Sequence, residues 1–72
     1  MTLDELRRTV KKQPFAPFTI HMADGRHFEV PHPEYVGVPP EGRVFAFFDK
    51  GRHVELIDVL LVTSLSTVTP TA

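Results

Sequence analysis

The stretch Phe18-Thr19-Ile20-His21-Met22-Ala23-Asp24-Gly25-Arg26-His27-Phe28-Glu29-Val30 decides the fold. Phe18, Ile20 and Met22 fall on one face and Thr19, His21 and Ala23 on the other, which is the period of a half-buried strand. Asp24-Gly25 turns the chain back, and side-chain parity then selects the loop. A two-residue turn would set Phe28 opposite His21 and mix core with solvent, because strand side chains change face at every residue. A three-residue loop, Ala23-Asp24-Gly25 with a left-handed Gly25 at a G1 bulge, sets Ile20 against Phe28 and Phe18 against Val30. The same register brings His21 opposite His27. The spacing thus predicts a hairpin with strands over 18–23 and 26–30.

Upstream, Thr2 and Glu5 have the spacing of a capping box, in which the Thr2 hydroxyl accepts from the Glu5 amide and the Glu5 carboxylate reaches back. Leu3, Leu6 and Val10 recur on one helical face, with Arg7, Arg8, Lys11 and Lys12 on or beside the other. Acids in the first turn and bases in the last suit the helix dipole, and Pro14 disfavours helical geometry at Gln13, so the helix is predicted over 3–12. A helix this short needs a surface to dock on.

Downstream, Pro31-His32-Pro33 withholds two ladder donors and predicts an edge, bend or loop, with Tyr35, Val36 and Val38 forming a short segment beyond it. Pro39-Pro40-Glu41-Gly42 is a turn, followed by an aromatic strand over 43–48, a loop at Asp49-Lys50-Gly51 and a strand over 52–57. A three-residue loop groups Val44 and Ala46 with Val54 and Leu56, and leaves Phe45, Phe47 and Ile57 on the other face. A two-residue Lys50-Gly51 turn instead groups Phe45 and Phe47 with Val54 and Leu56. Asp58 caps a single helical turn over Val59-Leu60-Leu61, and a last strand is expected over 62–68, with a frayed tail. The expected fold is α+β, mainly β, in one domain over 1–72: an N-terminal helix on a five-stranded, strongly bent antiparallel sheet or small barrel. This order of elements is similar to that of Sm-like barrels, a likeness of fold that carries no function.

Composition narrows the function classes. The 72 residues leave no room for a second core, and without cysteine neither disulfides nor a thiolate metal site can staple the domain. A net charge of −1 removes the simplest electrostatic case for a nucleic-acid or membrane-surface partner. Apolar runs such as Val59 to Val62 are too short to cross a bilayer, and Met-Thr-Leu-Asp-Glu lacks the basic start of a signal peptide, so no membrane association and a cytoplasmic location are expected. There is no Gly-x-Ser-x-Gly elbow, no phosphate-cradling Gly-x-x-x-x-Gly-Lys, no His-Glu-x-x-His pair and no Cys nucleophile. An enzyme is not expected, nor is a cofactor.

Gln13-Pro14-Phe15, Pro17-Phe18-Thr19-Ile20-His21, Ala23-Asp24-Gly25-Arg26, Val30-Pro31-His32-Pro33-Glu34 and Ile57-Asp58-Val59-Leu60-Leu61-Val62-Thr63 together resemble a family of short, uncharacterised bacterial proteins. The likeness covers nearly the whole chain and is most specific from Pro17 to Glu34. It implies no catalytic residue, cofactor or partner.

Three surfaces remain as candidates. His21 and His27, with Glu29 or His32 as a third donor, have the chemistry of a metal site, but the signal is weak and an exposed strand face or a proline-bounded loop is the expected reading of them. Residues 1–12 carry four bases and two acids, against four and seven in the rest, so Arg7, Arg8, Lys11 and Lys12 are candidate phosphate contacts for an Sm-like nucleic-acid binder. Such a binder would lose affinity steeply with salt, and the Lys or Arg followed by Gly and Asp or Asn that Sm-like proteins carry in the last hairpin is missing here. Six Phe and one Tyr exceed what one face of so small a sheet buries, so Phe45, Phe47 and Ile57 are either covered by the helix or form an interface. The expected function is a non-enzymatic binding or assembly module acting on a second copy or a protein partner. The alternatives are the nucleic-acid binder and a metal-binding module at His21 and His27.

Overall fold

The computed structural model describes residues 1–49 and 53–67. Its elements are α1 (Leu3–Val10), β1 (Phe18–Met22), β2 (His27–Val30), a 3₁₀ turn (Pro33–Tyr35), β3 (Val36–Gly37), β4 (Val44–Asp49), β5 (His53–Asp58), a second 3₁₀ turn (Val59–Leu61) and β6 (Val62–Thr67). The α+β, mainly β reading holds. The five-stranded sheet or barrel does not: among the described residues six strands form two antiparallel sheets, ordered β2-β1-β6 and β3-β4-β5, and neither closes.

The prolines supply the physical reason. Pro31 and Pro33 cannot donate to a ladder, so β2 stops at Val30 and never bends across into the second sheet. After the 3₁₀ turn the chain re-enters β structure as the two-residue β3, with Val36 opposite Phe47 and Gly37 opposite Ala46. At the other end, the turn after β5 lets β6 leave and pair with β1 instead.

The first hairpin has the expected register, with Phe18 opposite Val30, Ile20 opposite Phe28 and His21 opposite His27. Gly25 takes φ +92° and donates to the Met22 carbonyl (3.1 Å), while the Met22 amide donates to the Arg26 carbonyl (2.8 Å). Asp24 Oδ1 accepts from the Arg26 amide (3.0 Å), which closes the loop locally.

The capping box forms as read: Thr2 Oγ1 accepts from the Glu5 amide (3.2 Å), and Glu5 Oε1 accepts from the Thr2 amide (2.9 Å). The helix ends at Val10 rather than Lys12, with Lys11 as C-cap. Leu3 and Leu6 are buried in the common core with Phe18, Ile20, Phe45 and Phe47, so the helix has the docking surface that its length requires.

In the second hairpin Phe45 pairs with Ile57, Ala46 with Leu56, Phe48 with Val54 and Asp49 with His53. The face grouping is that of the three-residue loop, but Asp49 belongs to the strand. Lys50 and Gly51 of the expected loop lie outside the described residues, as do Arg52 at the expected start of the next strand and Val68 at the expected end of the last.

Asp58 caps the second 3₁₀ turn, its Oδ1 accepting from the Leu60 amide (2.9 Å), and its Oδ2 accepts from Arg43 Nη2 (2.6 Å). The Arg43 hydrogen bond, and after it the Leu60 amide, hold the Asp58 carboxyl below its ordinary value of 3.8. A lowered carboxylate contributes stability that is present above the ordinary value and lost as pH falls below it. The melting temperature of Asp58→Asn is therefore expected to lie below that of the parent at neutral pH, the gap closing in acid. A gap that stays constant down to about pH 2 would remove the ion pair as its cause.

Candidate functional surfaces

The two sheets present opposite chemistry to solvent. On the first, Thr19, His21, His27, Glu29, Ser64 and Ser66 share the outward face by register, and every one of them is polar. On the second, the outward residues are Val44, Ala46 and Phe48 of β4 and Val54, Leu56 and Asp58 of β5. Leu56 is 72% exposed, Val54 55%, Val44 48% and Phe48 37%. Leu60 and Leu61, in the turn that follows, are also exposed.

This corrects the candidate interface. Phe45, Phe47 and Ile57 are buried in the core rather than on the outward face of this sheet, and of the three only Phe47 reaches the lining of a cleft. The two faces of a strand pair separate by parity alone, and here Phe45, Phe47 and Ile57 are the set that packs with Leu3, Leu6 and Ile20. Gly37 adds to the flatness of the outer face: a Cβ there would lie 3.3 Å from Phe48 Cε2, so its absence lets the ring lie over β3.

The basic helix face is also smaller than its sequence suggests. Arg7 is committed within the fold, pairing with Asp4 (2.5 Å) and donating through Nη2 to the carbonyls of Pro39 (2.6 Å) and Pro40 (3.3 Å). It ties the helix to the turn before β4 and is not free to meet a phosphate. Arg8, Lys11 and Lys12 are exposed, the two lysines beyond the last helical residue.

His21 and His27 are cross-strand neighbours with ring centroids 6.4 Å apart. His21 Nε2 is hydrogen-bonded to Ser66 Oγ at 2.7 Å, so the ring is oriented toward β6. His32 lies instead beside Tyr35, at 6.1 Å. Among the described residues no three His, Cys, Asp or Glu side chains converge as ligands for an ion. No described helix is long and apolar enough to cross a membrane.

An open cleft of about 580 Å³ runs beside β2, between the two sheets. Phe28, Tyr35 and Phe47 supply its aromatic lining, and Glu29 and Asp49 its acids. Sequence reading missed this cleft, although its signal is the Pro31-His32-Pro33 break, after which β2 has, among the described residues, no neighbour on one side.

No protein-family model matches the chain, and neither a curated protein nor a solved structure matches it. Function is therefore argued from these surfaces.

Proposed function

We propose that the chain is a non-enzymatic assembly module that pairs with a second copy of itself through the outward face of β3-β4-β5. The observation that carries this reading is the contrast between the sheets: one turns polar residues to solvent, the other Val44, Phe48, Val54 and Leu56. A chain that can place threonine, serine and histidine outside one sheet has no folding reason to place exposed valine and leucine outside the other.

Charge favours a second copy as the occupant. Among the described residues the only ionisable group on this face by register is Asp58, which is paired with Arg43, so these residues bring no unbalanced like charges together in a two-fold pair. Area agrees. With roughly 150–200 Å² per side chain, the exposed parts of these residues with Leu60 and Leu61 amount to about 500–600 Å² per copy, and an isologous pair buries about twice that, near the lower bound of specific interfaces.

Light scattering across micromolar to millimolar protein tests the reading. A mass of twice the 8.1 kDa chain or more, retained at high salt because apolar contacts respond weakly to ionic strength, is the expected result. A monomer at every concentration would remove it.

A further inference from the structure

We propose that the open edge of β2 binds an extended segment of another protein in which apolar and basic side chains alternate. This site is distinct from the outward face of β3-β4-β5 and stands on separate observations.

The first is the hydrogen-bond phase of the hairpin. Met22 and Arg26 are joined by a backbone hydrogen bond, and in an antiparallel ladder bonded and non-bonded pairs alternate. The His21–His27 and Thr19–Glu29 pairs are therefore the non-bonded ones, so the amides and carbonyls of His27 and Glu29 point away from β1. Among the described residues β2 ends its sheet on that side. Among the described residues, no backbone hydrogen bond outside the regular elements uses either residue. Two residues spaced by two thus offer two donors and two acceptors to an incoming strand.

The second observation is the cleft beside this edge. Phe28 and Phe47 lie 5.1 Å apart between ring centroids and Tyr35 and Phe47 6.3 Å, forming a continuous aromatic lining. An added strand shares the pleat of β2, so its alternate side chains fall on the face of Phe28 or on that of His27 and Glu29. Apolar side chains suit the first face. Basic side chains suit the second, where they meet Glu29, and at the end of β4 Asp49 adds a further acid to the lining. The same acids oppose a phosphate backbone, which favours a peptide over a nucleic acid.

The test titrates the synthetic peptide acetyl-KVKVKVK-amide into the isotope-labelled 72-residue chain and follows amide shifts. Saturable shifts centred on His27, Phe28 and Glu29 are expected. Methylating two alternate amides of the peptide is expected to weaken binding roughly tenfold, because each loses a donor to the edge. Glu29→Lys is expected to lower affinity at least fivefold, and acetyl-EVEVEVE-amide is expected not to bind. Glu29→Pro removes one edge donor without touching the β1 ladder and should abolish the shifts in a folded protein. Should that variant not fold, the methylated peptide still decides. No binding up to millimolar peptide, or binding indifferent to methylation, would overturn the proposal. Leu56→Lys should bind the peptide as the parent does, so failure here and failure of self-assembly are told apart.

Discussion

A Phe45→Asp chain is expected to be unfolded at room temperature. Phe45 is 1% exposed, faces Ile57 across the ladder and is the largest fully buried side chain among the described residues. At ~0.05 to 0.15 kcal/mol per residue, a domain of this length has about 4 to 11 kcal/mol of stability in total. Truncating a buried phenylalanine costs about 3–5 kcal/mol by itself, and a carboxylate adds the cost of burying a charge for which the core holds no partner. Among the described residues the core contains no buried polar or charged side chain that could pair with it. Far-ultraviolet circular dichroism and the dispersion of the amide proton spectrum measure the outcome. A cooperatively folded Phe45→Asp monomer would mean that this ring is a surface group and that the inward and outward faces of β4 are exchanged.

Leu56→Lys is expected to do the reverse, leaving the fold intact and dissolving the assembly. Leu56 is 72% exposed, so the single chain loses almost no burial, and surface substitutions of this kind shift stability by about 0.5 kcal/mol or less. In a two-fold pair the residue occurs twice, and a lysine on each copy puts two ammonium groups into an apolar contact. At ~2 kcal/mol for each central anchor, the dissociation constant should rise at least about a hundredfold. Light scattering and a thermal melt on the same sample check both halves. Ser64→Lys, exposed on the polar face of the other sheet, serves as the control and should change neither mass nor melting temperature. An unchanged mass for Leu56→Lys would move the interface off this face.

These two residues lie on opposite faces of the same hairpin, and their contrast shows how far sequence reading reaches. Parity in Val44-Phe45-Ala46-Phe47-Phe48 divides the side chains into two groups, and the observed register keeps that division. Both groups are apolar, so alternation carried no sign saying which of them faces inward. In the first hairpin one group is Phe18, Ile20 and Met22 and the other Thr19 and His21, and there the inward face was legible at once. Arg7 is a similar case. Its charge and helical position mark it as a solvated base, yet the carbonyls of Pro39 and Pro40, more than thirty positions away, take its guanidinium.

What the sequence by itself determined are the features closed within a few residues. They are the Thr2–Glu5 capping box, the left-handed Gly25 loop with its register, the proline stop after β2 and the Asp58 cap. Each is set by a hydrogen bond or a steric limit between near neighbours, which the local order of residues is sufficient to fix. Only the tertiary structure decided which apolar face of β4 and β5 is the core, where the sheets fail to close, and that β2 is left with an open edge over an aromatic cleft. Those outcomes depend on the volume that Leu3, Leu6, Ile20 and the phenylalanine rings fill together, a property of side chains brought from the whole length of the chain and therefore absent from any one stretch of it.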